Sequence, residues 1–217
     1  MLEANDQMLL LGGAAVGPQP IRLGINSSFA KEFFENQNAD TLADVIIQID
    51  GSTSIAKGLL EGYIDIACIF ESPEIDSEIA DFGVKEFDEP FVWVRSKNFV
   101  LRPGAPIPIL TSGGDDLMIR TLTRHGLQYR VVFNSADFHA KMSAVAAGIG
   151  VTAIPERLMP PFLIPAREYY LPKLPTAKAL LCARSGLEGP AASALIHRLS
   201  GLFFDHRSAP FASKVAS

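Results

Sequence analysis

Apolar and polar residues alternate across Ile21-Arg22-Leu23-Gly24-Ile25, the two-residue period of a strand. Asn26-Ser27-Ser28 follows, and residues 29–36 carry a helical pattern for which Ser27 or Ser28 is a natural N-cap. Residues 44–49, DVIIQI, predict a second strand, closed by Asp50-Gly51. Ser52-Thr53-Ser54 caps a helix running to Glu61, Gly62 ends it, and residues 64–70 form an apolar third strand. The first seventy residues thus read β-α-β-α-β, the pattern of a parallel sheet with right-handed crossovers.

Residues 90–94 predict another strand, and the Pro/Gly cluster over residues 102–106 marks a break. Beyond it the pattern starts again. Residues 107–110 read as strand, 115–125 as helix, 129–133 as strand and 137–147 as helix. In KMSAVAAGIGVTAIP, residues 141–155, Met142, Val145 and Ala146 share one helical face. Gly148 suits the positive φ that closes a helix, and Val151 to Ile154 favour a strand that Pro155 stops. The proline-rich residues 159–175 read as irregular, 179–183 as a late strand and 191–204 as an amphipathic helix. No repeat recurs at a solenoid period.

These elements make two α/β lobes. Residues 20–92 form lobe I and residues 93–176 lobe II; the late strand and helix, 177–204, fit either lobe, and their return to lobe I would create two crossing strands and a hinge. Residues 1–19 read as a linker remnant and 205–217 as a frayed tail.

The chain has 217 residues, 48% of them hydrophobic and 20% charged, enough to bury a sizeable core. A net charge of −5 argues against gripping nucleic acid through the bulk surface. The apolar stretch over residues 8–16 lacks a preceding Lys or Arg, so it is not read as a signal peptide, and no run spans a membrane. Cys68 and Cys182 lie in apolar strand segments and read as inert core thiols of a reducing, cytoplasmic setting.

Catalytic signatures are missing: no GxSxG, HExxH or Walker loop occurs, and His125, His139, His197 and His206 are scattered. No catalytic residue, metal ligand or cofactor is assigned. Gly113-Gly114-Asp115-Asp116 reads as a helix-capping turn. Ser27-Ser28, Ser52-Thr53 and Asp137 each stand after a strand and at a helix start. There, hydroxyls and unbonded amides suit a small anion such as a carboxylate.

Three segments carry a family resemblance. Residues 60–67, LEGYIDIA, resemble the L-x-G-x-L-D-L-A element of LysR-type transcriptional regulators. Residues 145–155 resemble their V-A-A-G-x-G-I…L-P element, and residues 21–24 their opening effector-domain strand. The resemblance implies an α/β, type II periplasmic-binding-protein-like fold that takes a small-molecule effector, such as a carboxylate-bearing metabolite, between the lobes. It also implies a homodimer and, for a full-length protein, a tetramer. DNA contact would belong to an N-terminal winged helix-turn-helix domain, which is not in this chain. Helices 29–36 and 141–147 would pair in the dimer, with Phe33, Phe34 and Met142 as contacts, although core packing is the competing use of each.

The expected ligand-binding set is Ser27, Ser28, Phe29, Ser52, Thr53, Ser112, Asp137 and Phe138, of which Ser27, Ser28 and Ser52 match by position the family's polar residues on the first-lobe wall. Asp137 stands where the family often has Ser or Thr, and a carboxylate there suits an amine or hydroxyl unless it only caps its helix. Asp50 also replaces a glycine that often precedes the Ser52 position. A stand-alone solute-binding protein of a transport system is the alternative reading, and an enzyme on the same fold a third.

Overall fold

A computed structural model of the chain describes residues 19–71, 76–112, 117–187 and 189–204. The expected linker over residues 1–18, the capping turn at 113–116 and the tail from 205 lie outside the described residues.

β1 (Ile21–Asn26) pairs in parallel with β2 (Val45–Asp50) on one side and β3 (Ile66–Phe70) on the other. β10 (Ala177–Ala183) runs antiparallel between β3 and β4 (Gly83–Glu89), which gives the sheet order β2-β1-β3-β10-β4. Strand alternation sends Leu23, Ile25, Ile66 and Cys68 to one face, under α1 (Ala30–Glu35) and α5 (Pro190–Phe203). Ala67, Ile69 and Cys182 point to the other face, under α2 (Ser52–Glu61). Gly24 lets α2 sit close, because a Cβ there would meet Ile55 Cγ2 and Ile64 Cδ1. Asp65 of the LEGYIDIA segment clamps the first strand: its carboxylate accepts the Arg22 amide and Nε, each at 2.9 Å.

The second half repeats the plan. β6 (Ile107–Thr111) pairs in parallel with β7 (Tyr129–Asn134), and β5 (Phe91–Ser96) lies antiparallel between β8 (Thr152–Pro155) and β9 (Leu163–Pro165). Backbone bonds from Leu110 N to Val151 O and from Val151 N to Pro108 O, both 2.9 Å, stitch β6 to the start of β8. The resulting order, β7-β6-β8-β5-β9, matches that of the first sheet position for position. α3 (Leu117–Arg124) covers one face through Met118 and Leu122, and α4 (Phe138–Ala146) covers the other through Met142 and Val145.

The chain changes sheets at Pro90, between β4 and β5, and returns to the first sheet at Ala177. Arg157, in the helical turn after β8, ties the halves together: its guanidinium bonds Glu89 of β4 at 2.9 Å and Glu32 of α1, and stacks over the Phe29 ring.

Several local expectations are corrected. Ser28 does not cap α1: its hydroxyl donates to Asn26 Oδ1, and Phe29 occupies the N-cap position without a side-chain bond. Ser52 is the first residue of α2 rather than its cap; Gly51 takes that place. The strand expected over residues 90–94 is β5, which starts after Pro90 and runs two residues further, to Ser96. β4 escaped notice because GVKEFDE carries no apolar run; it is an edge strand blunted by charges. β9 is a short edge strand inside the proline-rich segment, where proline is tolerated.

Candidate functional site

The carboxyl ends of β1, β3 and β6 face one another across a cavity of about 330 Å³. Open α/β sheets bind ligands at this position, outside the carboxyl ends of their strands. The first lobe contributes Asn26, Ser27, Ser28, Gly51, Ser52, Thr53, Phe70 and Glu71. The second contributes Phe91, Ser112, Arg120, Thr121, Arg124, Phe138 and Lys141, with Ala153 and Pro155 of β8. Pro175, Thr176 and Ala177 of the returning crossover complete the wall.

Asn26 organises the first wall. Its Oδ1 accepts from the Ser28 amide at 3.0 Å and hydroxyl at 2.6 Å, and its Nδ2 donates to Ser52 Oγ at 2.9 Å. Ser52 Oγ also accepts the Phe70 amide at 2.9 Å. Both acceptor sites of that hydroxyl are then used, so its proton is what it offers a further group. The first intrahelical bond of α2 runs from Ile55 N to Gly51 O. The amides of Ser52, Thr53 and Ser54 precede it, at the positive end of the helix dipole. Asp50, the departure from the family glycine, secures this turn by accepting from Gly51 N and Ser54 Oγ, each at 2.7 Å.

Among its described residues the opposite wall carries Lys141, Arg120 and Arg124. Lys141 is only 4% exposed, and its ammonium donates to Ser112 Oγ. Arg120 and Arg124 are four residues apart on α3, so both reach the same side of that helix. Ser27 Oγ donates to the Ala136 carbonyl at 2.5 Å, a direct bond between the two walls.

Ser27, Ser28, Ser52, Thr53, Ser112 and Phe138 of the expected set therefore line the cavity. Phe29 does not. It is 1% exposed, packed between Phe70 and Phe203 behind the wall. Asp137 also lies off the cavity, because its carboxylate accepts the His139 and Ala140 amides and caps α4. The expected preference for an amine opposite Asp137 loses its basis. Phe33 and Met142, expected at a dimer contact, are core residues, whereas Phe34 is 49% exposed. Asn26, Glu71, Arg120, Arg124 and Lys141 were not foreseen. The i, i+4 arginines of α3 were the readable signal; the placement of Lys141 depends on a register that sequence does not give.

Among the described residues no three His, Cys, Asp or Glu side chains are grouped as a metal site. No described helix is long and apolar enough to cross a membrane. Cys68 and Cys182 sit on adjacent strands but point to opposite faces of the sheet, so they cannot bond to each other. Burial pushes both thiols up, Cys182 to about 11 and Cys68 further.

Two mixed sheets, a crossover pair and helix starts converging on one cleft define a two-lobed small-molecule-binding domain. The chain belongs to the LysR substrate binding domain family, whose model matches residues 20–203. The regulatory domain of HypT from Salmonella typhimurium in its apo form superposes with a TM-score of 0.67 at 16% identity, covering 88% of this chain and 98% of that one. A mutant of OxyR from Corynebacterium glutamicum gives 0.54 at 21% identity, covering 93% and 70%. The HTH-type transcriptional regulator PecT of Dickeya dadantii is 29% identical over 98 residues, 43% of this chain and 31% of that regulator.

Proposed function

We propose that this chain is the effector-sensing part of a cytoplasmic LysR-type transcription regulator, and that a small organic acid bound in the cleft is its signal. The observation that carries this reading is the cavity itself. Polar helix starts from one lobe and buried or clustered cations from the other converge on it. A ligand touching both walls favours one relative position of the lobes, and a regulator reads such a shift as a change in the domain attached to it. DNA contact would belong to a helix-turn-helix domain outside this chain. Ser27, Ser28, Ser52, Thr53, Ser112 and Phe138 are the ligand-contacting residues of this reading, joined by Lys141. No feature of the cleft favours transport, and the relatives named above include a regulatory domain and an HTH-type transcriptional regulator.

Native mass spectrometry and thermal-shift measurements with a metabolite extract test the reading. A bound small molecule that raises the melting temperature is expected, and the rise is lost when Ser52→Trp fills the cavity. A molecule retained equally by the filled variant would place binding elsewhere and overturn the reading.

A further inference from the structure

We infer that Arg157 fixes the angle between the lobes, pinned to the crossover at Glu89 and gripping α1 at Glu32 and Phe29, and so sets the threshold an effector must exceed to change that angle. The lock is built from protein groups alone; its bearing on signalling rests on the effector-cleft reading above.

The two crossovers meet at Glu89. It is the last residue of β4, it precedes Pro90, and it pairs with Ala177, where the chain returns to the first sheet. Arg157 is tied to this point through backbone and side chain. The amide of the preceding residue, Glu156, donates to the Pro90 carbonyl at 2.9 Å, and Arg157 Nε donates to the Glu89 carboxylate at 2.9 Å. Its Nη1 reaches Glu32 of α1, and its guanidinium carbon lies 5.5 Å from the centroid of the Phe29 ring. One planar fork thus serves two carboxylates and an aromatic face, which the point charge of a lysine cannot do. Glu89 is buried, so salt screens its bond to Arg157 little.

Position decides what each contact does. A rotation of the lobes about the crossovers leaves Glu89, at the pivot, in place. It carries the second lobe away from α1, so the contacts that must break are those to Glu32 and Phe29. The bond from Ser27 Oγ to the Ala136 carbonyl spans the lobes on the same β1-to-α1 segment and must break as well. Residues 27–32 are therefore held by the second lobe at both ends. The same segment meets the cavity: Ser27 and Ser28 line it, and Phe29 stacks at 4.8 Å on Phe70, another lining residue. A ligand shifts a conformational equilibrium only by the difference between its affinities for the two states. An effector that changes the lobe angle has to supply at least the free energy of these contacts, and Arg157 makes most of them.

The test is the distance between spin labels on Lys57→Cys of α2 and Thr123→Cys of α3, both exposed positions, in the whole chain mixed with excess unlabelled copies. Cys68 and Cys182 are buried and stay unlabelled. The chain with no other change should give one narrow distance. Arg157→Met should add a second distance, held by about a tenth of the molecules or more. Arg157→Lys keeps the charge but not the fork, and should fall between the two. Glu32→Ala removes the grip on α1 without touching the crossover and should act as Arg157→Met does; it carries the test if the Arg157 variant does not fold, with circular dichroism as the check. A single unshifted distance in the folded variants overturns the inference, and so does a broad distribution in the chain with labels alone. A second distance in Arg157→Met but not in Glu32→Ala places the lock at Glu89 and overturns the role given to α1. Each outcome is read without a ligand, so the lock stands or falls apart from the effector reading, which the Ser52→Trp comparison tests.

Discussion

Gly148 and Gly150 stand two residues apart and do different work. Gly148 has φ +77 and nothing near the place a Cβ would occupy, so it serves the turn alone. Gly150 lies where β8 is stitched to β6, and a Cβ there would collide with the Pro108 carbonyl. Gly148→Ala should therefore cost about 1 kcal/mol, the price of a left-handed residue. Gly150→Ala should cost more, about 2–3 kcal/mol, because backbone must move. Urea midpoints at unchanged slope check the ranking. The sequence marked both glycines but could not separate them, since steric contact with residue 108 is a tertiary fact. The buried thiols give a second residue-scale expectation. Burial holds their folded pKa values above that of an exposed thiol, about 9, so above about pH 9 the unfolded chain loses thiol protons that the folded chain keeps. Stability should fall as pH rises from about 9 towards 11, and Cys182→Ala should flatten that fall in urea titrations across the range.

At the scale of elements, helix starts were the most legible feature and the most misleading one. Ser27, Ser28 and Ser52 were found because they stand at strand-to-helix junctions, and all three line the cavity. Their hydroxyls do not cap, however. They bond Ala136, Asn26 and Phe70 instead, partners separated from them by up to 109 residues. Asp137 is the opposite case. It shared the same sequence context and proved to be a true cap, occupied by two amides. Asp137→Ala should lower stability by about 1 kcal/mol and leave ligand affinity unchanged, as paired melting and titration experiments would show. A loss of affinity without a loss of stability would return Asp137 to the site. The strands missed by pattern, β4 and β9, are both edge strands, where one side faces solvent and the apolar signal thins.

For the whole molecule, β2 and β7 form one edge of each sheet, opposite β4 and β9, and apolar residues stay exposed there: Ile49 on β2, Val131 on β7, and Phe34 on α1. We propose that these edges pair two copies antiparallel about a two-fold axis, an isologous contact that covers them all. Sedimentation should show a dimer, and Phe34→Glu should shift it to monomer with the fold intact. A wild-type monomer at high concentration would sink the pairing.

The crossover has a further consequence, for synthesis. Strands β5 to β9 come from one unbroken stretch of chain, whereas the first sheet waits for β10, which enters between β3 and β4 from near the chain's end. The half made first on the ribosome is thus the half completed last. Pulse-labelled hydrogen exchange during refolding should find amides of β5 to β9 protected before those of β3 and β4. Until its last strand emerges, the nascent chain has one wall of the cleft and nothing to close against it, so it stays blind to its own signal.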